Sequence, residues 1–307
     1  MYALYLIVGF SVGILGGFFG IGGAFILTPL LHILGISMVN AVATGLAFTL
    51  AVSTLGGIKH YFAGNVSLKI VLYVGFISLL GVSVSQPLVI HMEKLNVADF
   101  YIRSAFIILL VLFGVLTLLP QKKGSSEGNT QRIMEKLKKI PPLVELEPGE
   151  HMSFWILLAI SLFVGFLKGL LGVGGGFVLV PLFMLVMNLK PSKAAGTSLM
   201  VLTISSIYAV ALYLLSGMVL FTVLALLVLG SLPGVNIGVT ATGNIKGNLH
   251  RKAYGLLLLV MAVGILFKHL GLESLAVYYT LGLILATSMA VFFKYYVKLR
   301  FSPYGKP

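Results

Sequence analysis

The stretch Gly165–Pro181, GFLKGLLGVGGGFVLVP, places a lysine and a cluster of glycines inside an otherwise apolar segment. Each glycine in a helix interior costs about 0.5–1 kcal/mol relative to alanine, and five glycines fall here within eight residues. The stretch therefore predicts a helix that breaks inside a membrane. Because backbone groups freed in hydrocarbon must be buried in protein or line a watered cavity, the break is a candidate binding site. The alternative is that the glycines only let helices pack closely.

The same pattern occurs a second time near the N-terminus. Gly13–Pro29 reads GILGGFFGIGGAFILTP, and an offset of 152 residues brings Pro29 onto Pro181. Two broken segments at corresponding places in two halves point to a transporter's site at the membrane midplane. We therefore predict a substrate site built from the backbone of both breaks: Gly20, Gly22, Gly23 and Ala24 in the first, and Gly172, Gly174, Gly175 and Gly176 in the second.

The composition is that of an all-α polytopic membrane protein. Hydrophobic residues make up 59% of the 307 residues and charged residues only 9%, and several apolar runs reach the roughly 20 residues that span a bilayer. We expect a multi-pass protein of the plasma membrane, with the lipid bilayer as its surroundings and homo-oligomerisation left open. The net charge of +13 is spread through short loops, which favours orientation signals over nucleic-acid binding. The absence of cysteine excludes disulfides and thiolate metal sites.

Four regions follow from the distribution of apolar runs. Residues 1–119 form a first membrane repeat, 120–152 a polar linker, 153–270 a second repeat, and 271–307 an extra span and tail. In each repeat a glycine-broken segment precedes three spans, and Thr28 with Pro29 is expected to cap and start the second piece of the first broken segment. The predicted segments are Ala3–Leu34, Asn40–Tyr61, Lys69–Ile90, Phe100–Leu119, Phe154–Asn188, Ser192–Leu215, Val219–Thr240, Ala253–Leu270 and Leu275–Val297.

The lysines and arginines indicate that the two repeats are inverted. If both broken segments return to the face on which they enter, one face collects seventeen basic residues and the other only Lys94, Arg103 and Lys268. If each broken segment crosses once, the two faces carry nine and eleven. Because cytoplasmic loops are enriched in lysine and arginine, the first arrangement is favoured. It places the N-terminus outside and both the linker and the C-terminus inside.

The charged residues favour an anionic substrate. Lys168 is the only lysine or arginine within the broken segments, and an intramembrane charge is a functional hypothesis unless it is simply buried or snorkels. All eight acidic residues fall in loops or at segment ends, whereas a cation site needs a carboxylate in the core. Helix N-termini at the breaks would supply N–H donors and a positive dipole end to an anion.

Three hydroxyl side chains and one histidine complete the predicted site. Thr44, Thr197 and Ser198 could hydrogen-bond the substrate, or, as the alternative for Thr197 and Ser198, bond back to carbonyls of their own helix. His60 could couple transport to a proton, or simply mark the membrane interface. The sequence carries no catalytic constellation, no metal-ligand cluster and no cofactor motif, so we predict neither an enzyme nor a bound cofactor.

Several motifs together resemble the sulfite exporter TauE/SafE family, also called 4-toluene sulfonate uptake permeases. They are GxxGxGGGxxxxP at Gly169–Pro181, nearly repeated at Gly17–Pro29, AxGTSL at Ala194–Leu199 and HYxxGNV at His60–Val66. The resemblance implies a permease for sulfite, sulfonates or related organic anions and leaves proton coupling open. The first repeat departs from the pattern by having Thr44-Gly45 where the second has Gly196-Thr197. The last span is a second departure, because the family often ends after the eighth segment.

These observations predict a secondary permease that moves a small sulfur-containing or carboxylated anion through a midplane site between two inverted repeats. Two other functions remain open at this point. An anion channel would use the same site without alternating access, and a non-transporting membrane partner subunit would have no use for paired glycine breaks.

Overall fold

The computed structural model describes residues 2–119, 140–147, 150–173, 175–242 and 247–301. Over these ranges nine helices are long and apolar enough to cross a membrane, which confirms the predicted polytopic all-α class. The remaining two, α2 and α7, have ten residues each and are about 15 Å long, half a bilayer core. The helices are α1 Tyr2–Phe19, α2 Ala24–Ile33, α3 Met38–Phe62, α4 Leu68–Lys94, α5 Ala98–Leu118, α6 Phe154–Leu171, α7 Gly176–Leu185, α8 Pro191–Leu215, α9 Phe221–Thr242, α10 Gly247–His269 and α11 Glu273–Phe301.

Both helix breaks occur where the glycine clusters predict them. Gly20, Gly22 and Gly23 have φ values of 75°, 72° and 86°, in the left-handed region that a β-carbon disfavours. Gly172 and Gly175 adopt φ values of 67° and 75° at the second break. The chain can therefore leave one helix and start another within four residues. Gly174, which belongs to the predicted site, lies outside the described residues.

The predicted start of the second piece at Thr28 and Pro29 is wrong. Helix α2 already begins at Ala24, directly after the left-handed Gly23, and Pro29 lies inside the helix. The glycines alone make the bend, so no proline is needed to restart the helix.

Each broken span packs against the third span of the other repeat. Along α1, Gly9 and Gly13 lie against Leu227 and Ser231 of α9, and a β-carbon at either glycine would overlap the α9 backbone. The later glycine of α1 meets the later residue of α9, so the two helices run parallel. Helices α6 and α4 pack in the same way. Close helix packing thus explains the glycines within the helices, while those at the breaks serve the bends.

Equivalent helices of the two halves run antiparallel. Between α3 and α8, Thr203 Oγ1 donates to Ser53 Oγ at 3.2 Å, and Gly57 touches Met200. Contacts further along α3 therefore fall at earlier residues of α8. Helices α5 and α10 show the same relation, since Gly114 lies against Leu259 and Arg103 donates to the Lys268 carbonyl. Antiparallel equivalents mean that the two repeats are inverted, as the basic residues predict.

A β-hairpin that the sequence does not predict lies in the second part of the linker. Strands β1 Leu143–Glu147 and β2 Glu150–Ser153 pair antiparallel. Lys69, in the first turn of α4, lies 3.4 Å from the Glu145 carboxylate, which holds the hairpin against the membrane face where α4 begins. Residues 120–139 and 148–149 of the linker lie outside the described residues. The division into four regions stays a prediction.

Candidate functional site

The two helix breaks meet directly. A β-carbon on Gly176 would lie 2.7 Å from the Cα of Ile21, so only glycine permits this approach. The ring of Phe25 stacks on that of Phe177, with centroids 6.2 Å apart, and Thr28 Oγ1 donates a hydrogen bond to the carbonyl of Gly172. The first turns of α2 and α7 are therefore neighbours.

This junction lies near the middle of the long spans. Gly22 faces Thr49 of α3 and Leu202 of α8, and each of these is the twelfth residue of a 25-residue helix. Because both helices are long enough to cross a bilayer, their midpoints mark the midplane. The nearby side chains of Ile21, Phe25 and Phe177 are 0% exposed, so the junction is closed from both faces.

Unused backbone donors converge at the junction. Among the hydrogen bonds of the described residues, none uses the N–H of Ala24, Phe25, Gly176 or Phe177. These are first-turn groups, which have no partner inside their own helix. Since the two halves are inverted, α2 and α7 leave the midplane toward opposite faces and present their N-terminal, positive dipole ends to each other. Such an arrangement attracts negative charge.

Two buried hydroxyls near the junction lack a hydrogen-bond partner among the described residues. Ser198 Oγ was predicted as a substrate ligand, and it neither bonds back to its own helix nor contacts another described polar group. It lies one turn beyond Ala195, which packs on Gly20. Thr49 Oγ1 is equally unpartnered and lies beside Gly22. Sequence analysis missed Thr49 because it lies outside every motif that the sequence repeats.

Lys168 is fully buried one turn before the second break. Its ammonium group donates three hydrogen bonds, to the Leu202 carbonyl at 3.0 Å and to the hydroxyls of Ser205 and Ser206 at 2.7 Å each. It therefore does not snorkel. All three acceptors are neutral, and no charged group of the described chain acts on the ammonium. The sequence contains a signal for this site, because the adjacent pair Ser205 and Ser206 lies in the middle of an apolar span and can accept hydrogen bonds from a buried cation.

Thr44 and Thr197 have partners that their sequence context did not indicate. Thr44 Oγ1 accepts a hydrogen bond from the backbone N–H of Leu220 at 3.1 Å, and Thr197 Oγ1 accepts one from that of Ser67 at 3.0 Å. Each partner lies in the loop between the second and third spans of the other repeat. The same 153-residue offset relates both pairs, and inversion places them on opposite sides of the midplane. We call them the two threonine latches.

His60 is buried near the C-terminal end of α3. Its side chain is 1% exposed and lies beside the carbonyl of Gly17 near the end of α1, yet neither ring nitrogen has a hydrogen bond among the described residues. Along α3 it lies eleven residues beyond Thr49, a distance of about 16 Å, so it is separated from the midplane junction. Its predicted role in proton coupling stays a prediction.

Over the described residues, eight apolar spans in two inverted halves, a ninth span after them and half-length helices that meet at the midplane define a multi-pass membrane protein of the transporter class. The chain belongs to the sulfite exporter TauE/SafE family, whose model matches residues 5–265. It is therefore a membrane transporter that works in a lipid bilayer on a small-molecule substrate.

The chain is similar to curated proteins of bacteria, archaea and plants. It is 30% identical over 233 residues to the "Probable membrane transporter protein YjnA" of Bacillus subtilis, covering 76% of this chain and 87% of that one. A "Probable membrane transporter protein" of Methanocaldococcus jannaschii is 31% identical, with 69% and 72% covered. "Sulfite exporter TauE/SafE family protein 6" of Arabidopsis thaliana is 30% identical over 37% of this chain and 28% of its own length. No solved structure matches the chain significantly.

Proposed function

We propose that this chain is a secondary permease for a small anion such as sulfite, a sulfonate or another organosulfur or organic anion. The anion binds at the midplane junction between the two repeats. The observation that carries the proposal is the meeting of α2 and α7 by their N-terminal ends, with the first-turn N–H groups of Ala24, Phe25, Gly176 and Phe177 unused among the described residues. Four free donors and two positive dipole ends suit a negatively charged oxygen.

In this proposal residues 1–119 and 153–270 are the two repeats, the 120–152 linker lies on the cytoplasmic side, and the last span is added at 271–307. The groups around the junction fit an anion site. Ser198 and Thr49 supply hydroxyl donors next to the breaks. The backbone contributors are the residues predicted from the sequence, Gly20, Gly22, Gly23, Ala24, Gly172, Gly174, Gly175 and Gly176.

Charge balance supports an anion rather than a cation. The described acidic residues lie at helix ends or in the hairpin, whereas Lys168 is buried at mid-membrane among neutral acceptors. A buried charge without a counter-charge is costly. The Leu202 residue that accepts from Lys168 also packs on Gly22, so an anion at the junction offsets this positive charge through electrostatic attraction.

The two threonine latches provide a means of alternating access. Each latch ties a loop of one repeat to a helix of the other, and the latches lie on opposite sides of the junction. With both closed, the anion is enclosed. Release of the Thr44 latch opens the site toward one face and release of the Thr197 latch opens it toward the other.

The latches make a directional prediction. In a background with Thr49→Cys as the reporter, Thr44→Val should speed cysteine labelling by a membrane-impermeant thiol reagent from the face of Leu220. Thr197→Val should speed labelling from the opposite face. The expected change is about twofold to tenfold, because one hydrogen bond contributes roughly 0.5–1.5 kcal/mol. Since the native chain has no cysteine, the introduced side chain is the only reactive thiol.

Thr287→Val is the matched control for this experiment, because the Thr287 hydroxyl bonds only to carbonyls of its own helix, α11, among the described residues. Its labelling rates should equal those of the reporter alone. Equal acceleration from both faces by either latch variant would contradict separate gates.

Transport itself is tested with purified protein in liposomes. Uptake of sulfite, thiosulfate, methanesulfonate and a carboxylate is measured with and without a proton gradient. Saturable uptake of at least one anion supports the permease. Single-channel currents would instead identify an anion channel, and the lack of both uptake and ligand-induced thermal stabilisation would identify a non-transporting subunit.

A further inference from the structure

Unpartnered polar atoms are concentrated at one place away from the junction. Eleven buried side-chain nitrogen and oxygen atoms in the described part of the chain lack a hydrogen bond, and five of them belong to His60, His250 and Tyr254. Each of these side chains is at most 1% exposed. Buried polar groups are normally satisfied, so a local deficit of five atoms calls for something that binds there.

The three side chains surround the carbonyl end of α1. His60 lies beside the Gly17 carbonyl, and the ring of His250 packs on Phe18 and Phe19 with centroids 5.1 and 5.2 Å away. Tyr254 packs on Phe19 at 5.4 Å. This end of α1 leads directly into the first break, so a change of charge here acts on the helix that positions the proposed anion site.

The second repeat shows what His60 replaces. The offset of 153 residues brings His60 onto Tyr213, whose hydroxyl donates to the Gly169 carbonyl at 3.0 Å. Gly169 is the counterpart of Gly17 at the 152-residue offset. Both repeats thus set a polar ring beside the equivalent carbonyl near the end of the broken helix. The ring is a phenol in one repeat and an imidazole in the other, and only imidazole changes charge between pH 5 and 8.

Burial away from water opposes a positive charge on either histidine, and two features of their surroundings offset this cost. The C-terminal end of α1 carries a partial negative charge, and the faces of Phe18 and Phe19 attract a cation. Within the described residues, His60 is the one titratable group that acts electrostatically on His250, and it opposes a second charge there. Among their sequence neighbours, Lys59 and Lys252 are exposed and Arg251 is half-buried. Tyr254 is a further ionisable side chain in the same cluster.

A cavity adjoins His250. A cavity of about 310 Å³ lies between α1, α10 and α11, and His250 is part of its lining together with Phe18, Phe19 and Thr287. Apart from His250 and Thr287, the side chains that line this cavity are apolar. The extra span α11 forms one side of this cavity, which includes His250.

We propose that His60 and His250 form a proton-binding pair that couples proton binding to anion binding at the junction. A proton from water adds to the lone pair of one ring nitrogen, no other bond changes, and the pair gains one positive charge. Two adjacent imidazolium ions repel each other, so the pair takes up a single proton. The added charge at the end of α1 attracts the anion, and proton and anion therefore bind cooperatively. The coupling to the anion rests on the proposed function, whereas the proton site is inferred from the contacts of His60 and His250 alone.

The test replaces His60 by the residue of the other repeat. Methanesulfonate is the probe because its charge is constant between pH 5 and 8. In the wild type its affinity should weaken at least fivefold from pH 5.5 to pH 7.5, whereas in His60→Tyr it should change less than twofold. Tyr213→Phe, which removes the equivalent neutral hydrogen bond, is the control and should keep the wild-type pH dependence. His60→Gln serves as a second non-titrating variant should the tyrosine disturb folding.

Proton binding is also measured without the anion. Nitrogen-15 NMR of histidine-labelled protein in detergent should show His60 and His250 titrating between pH 5 and 8, with the His250 signal shifted in His60→Tyr. Failure of both histidines to titrate, or a wild-type pH profile in His60→Tyr, overturns the proposal. Titration of the pair with no methanesulfonate binding at any pH supports the proton site and overturns the anion assignment.

Discussion

Gly176→Ala should abolish most anion uptake while leaving the protein in the membrane. The new β-carbon would lie 2.7–2.8 Å from the Cα, C and O atoms of Ile21, all of them backbone, so no side chain can move aside. Gly176 is the first residue of α7 and is not among the glycines with positive φ. The substitution therefore adds no backbone strain of its own. It separates the two helix N-termini on which the proposed site depends.

The size of this effect follows from the cost of overpacking, about 1–3 kcal/mol. Uptake should fall on the order of 10-fold to 100-fold, because the four N–H donors no longer converge on one anion. Gly282→Ala is the matched control: Gly282 is also helical, in α11, and a β-carbon there meets nothing within 4 Å. Uptake by Gly282→Ala should equal that of the wild type. Wild-type uptake by folded Gly176→Ala would mean that the junction does not hold the substrate.

Lys168→Met should weaken anion affinity and leave the fold intact. Methionine is close to lysine in length and fills the same space without a charge. Burying an ammonium without a counter-charge is costly, so the melting temperature should stay the same or rise when it is removed. The anion, in contrast, loses the attraction of a positive charge at mid-membrane. We expect its affinity to fall roughly 10-fold to 100-fold, which corresponds to about 1.4–2.7 kcal/mol.

Binding of sulfite and methanesulfonate, followed by thermal shift and by uptake at varied concentrations, checks this result. Lys59→Met is the control because Lys59 is exposed at the end of α3, where water screens its charge. Unchanged anion affinity in Lys168→Met would leave Lys168 as a purely packed residue. A protein that unfolds on this substitution would show instead that its three hydrogen bonds to α8 stabilise the fold.

Local sequence was sufficient to predict the breaks and the spans. The glycine clusters predict the bends because left-handed backbone is a property of the residue itself, and the nine spans of the described chain follow from apolar runs of the right length. The inverted arrangement followed from the basic residues and agrees with the antiparallel pairing of α3 with α8. The error at Thr28 and Pro29 arose from giving a proline the role that the preceding glycines already filled.

Partners across the fold could not be predicted in this way. Thr44 and Thr197 read as substrate ligands, but each hydroxyl accepts a backbone N–H from a loop 130 or more residues away. Sequence alone also did not predict the acceptors of Lys168, the unpartnered hydroxyl of Thr49 or the proximity of His60 to His250.

The sequence by itself therefore determined where the chain bends, which segments are long and apolar enough to span a membrane, and that its halves are inverted. Bending and insertion depend on the backbone freedom and apolarity of neighbouring residues, which are local properties. Only the tertiary structure decided which polar groups meet, because that depends on the packing of helices distant in sequence and on the inversion that brings equivalent positions together from opposite sides.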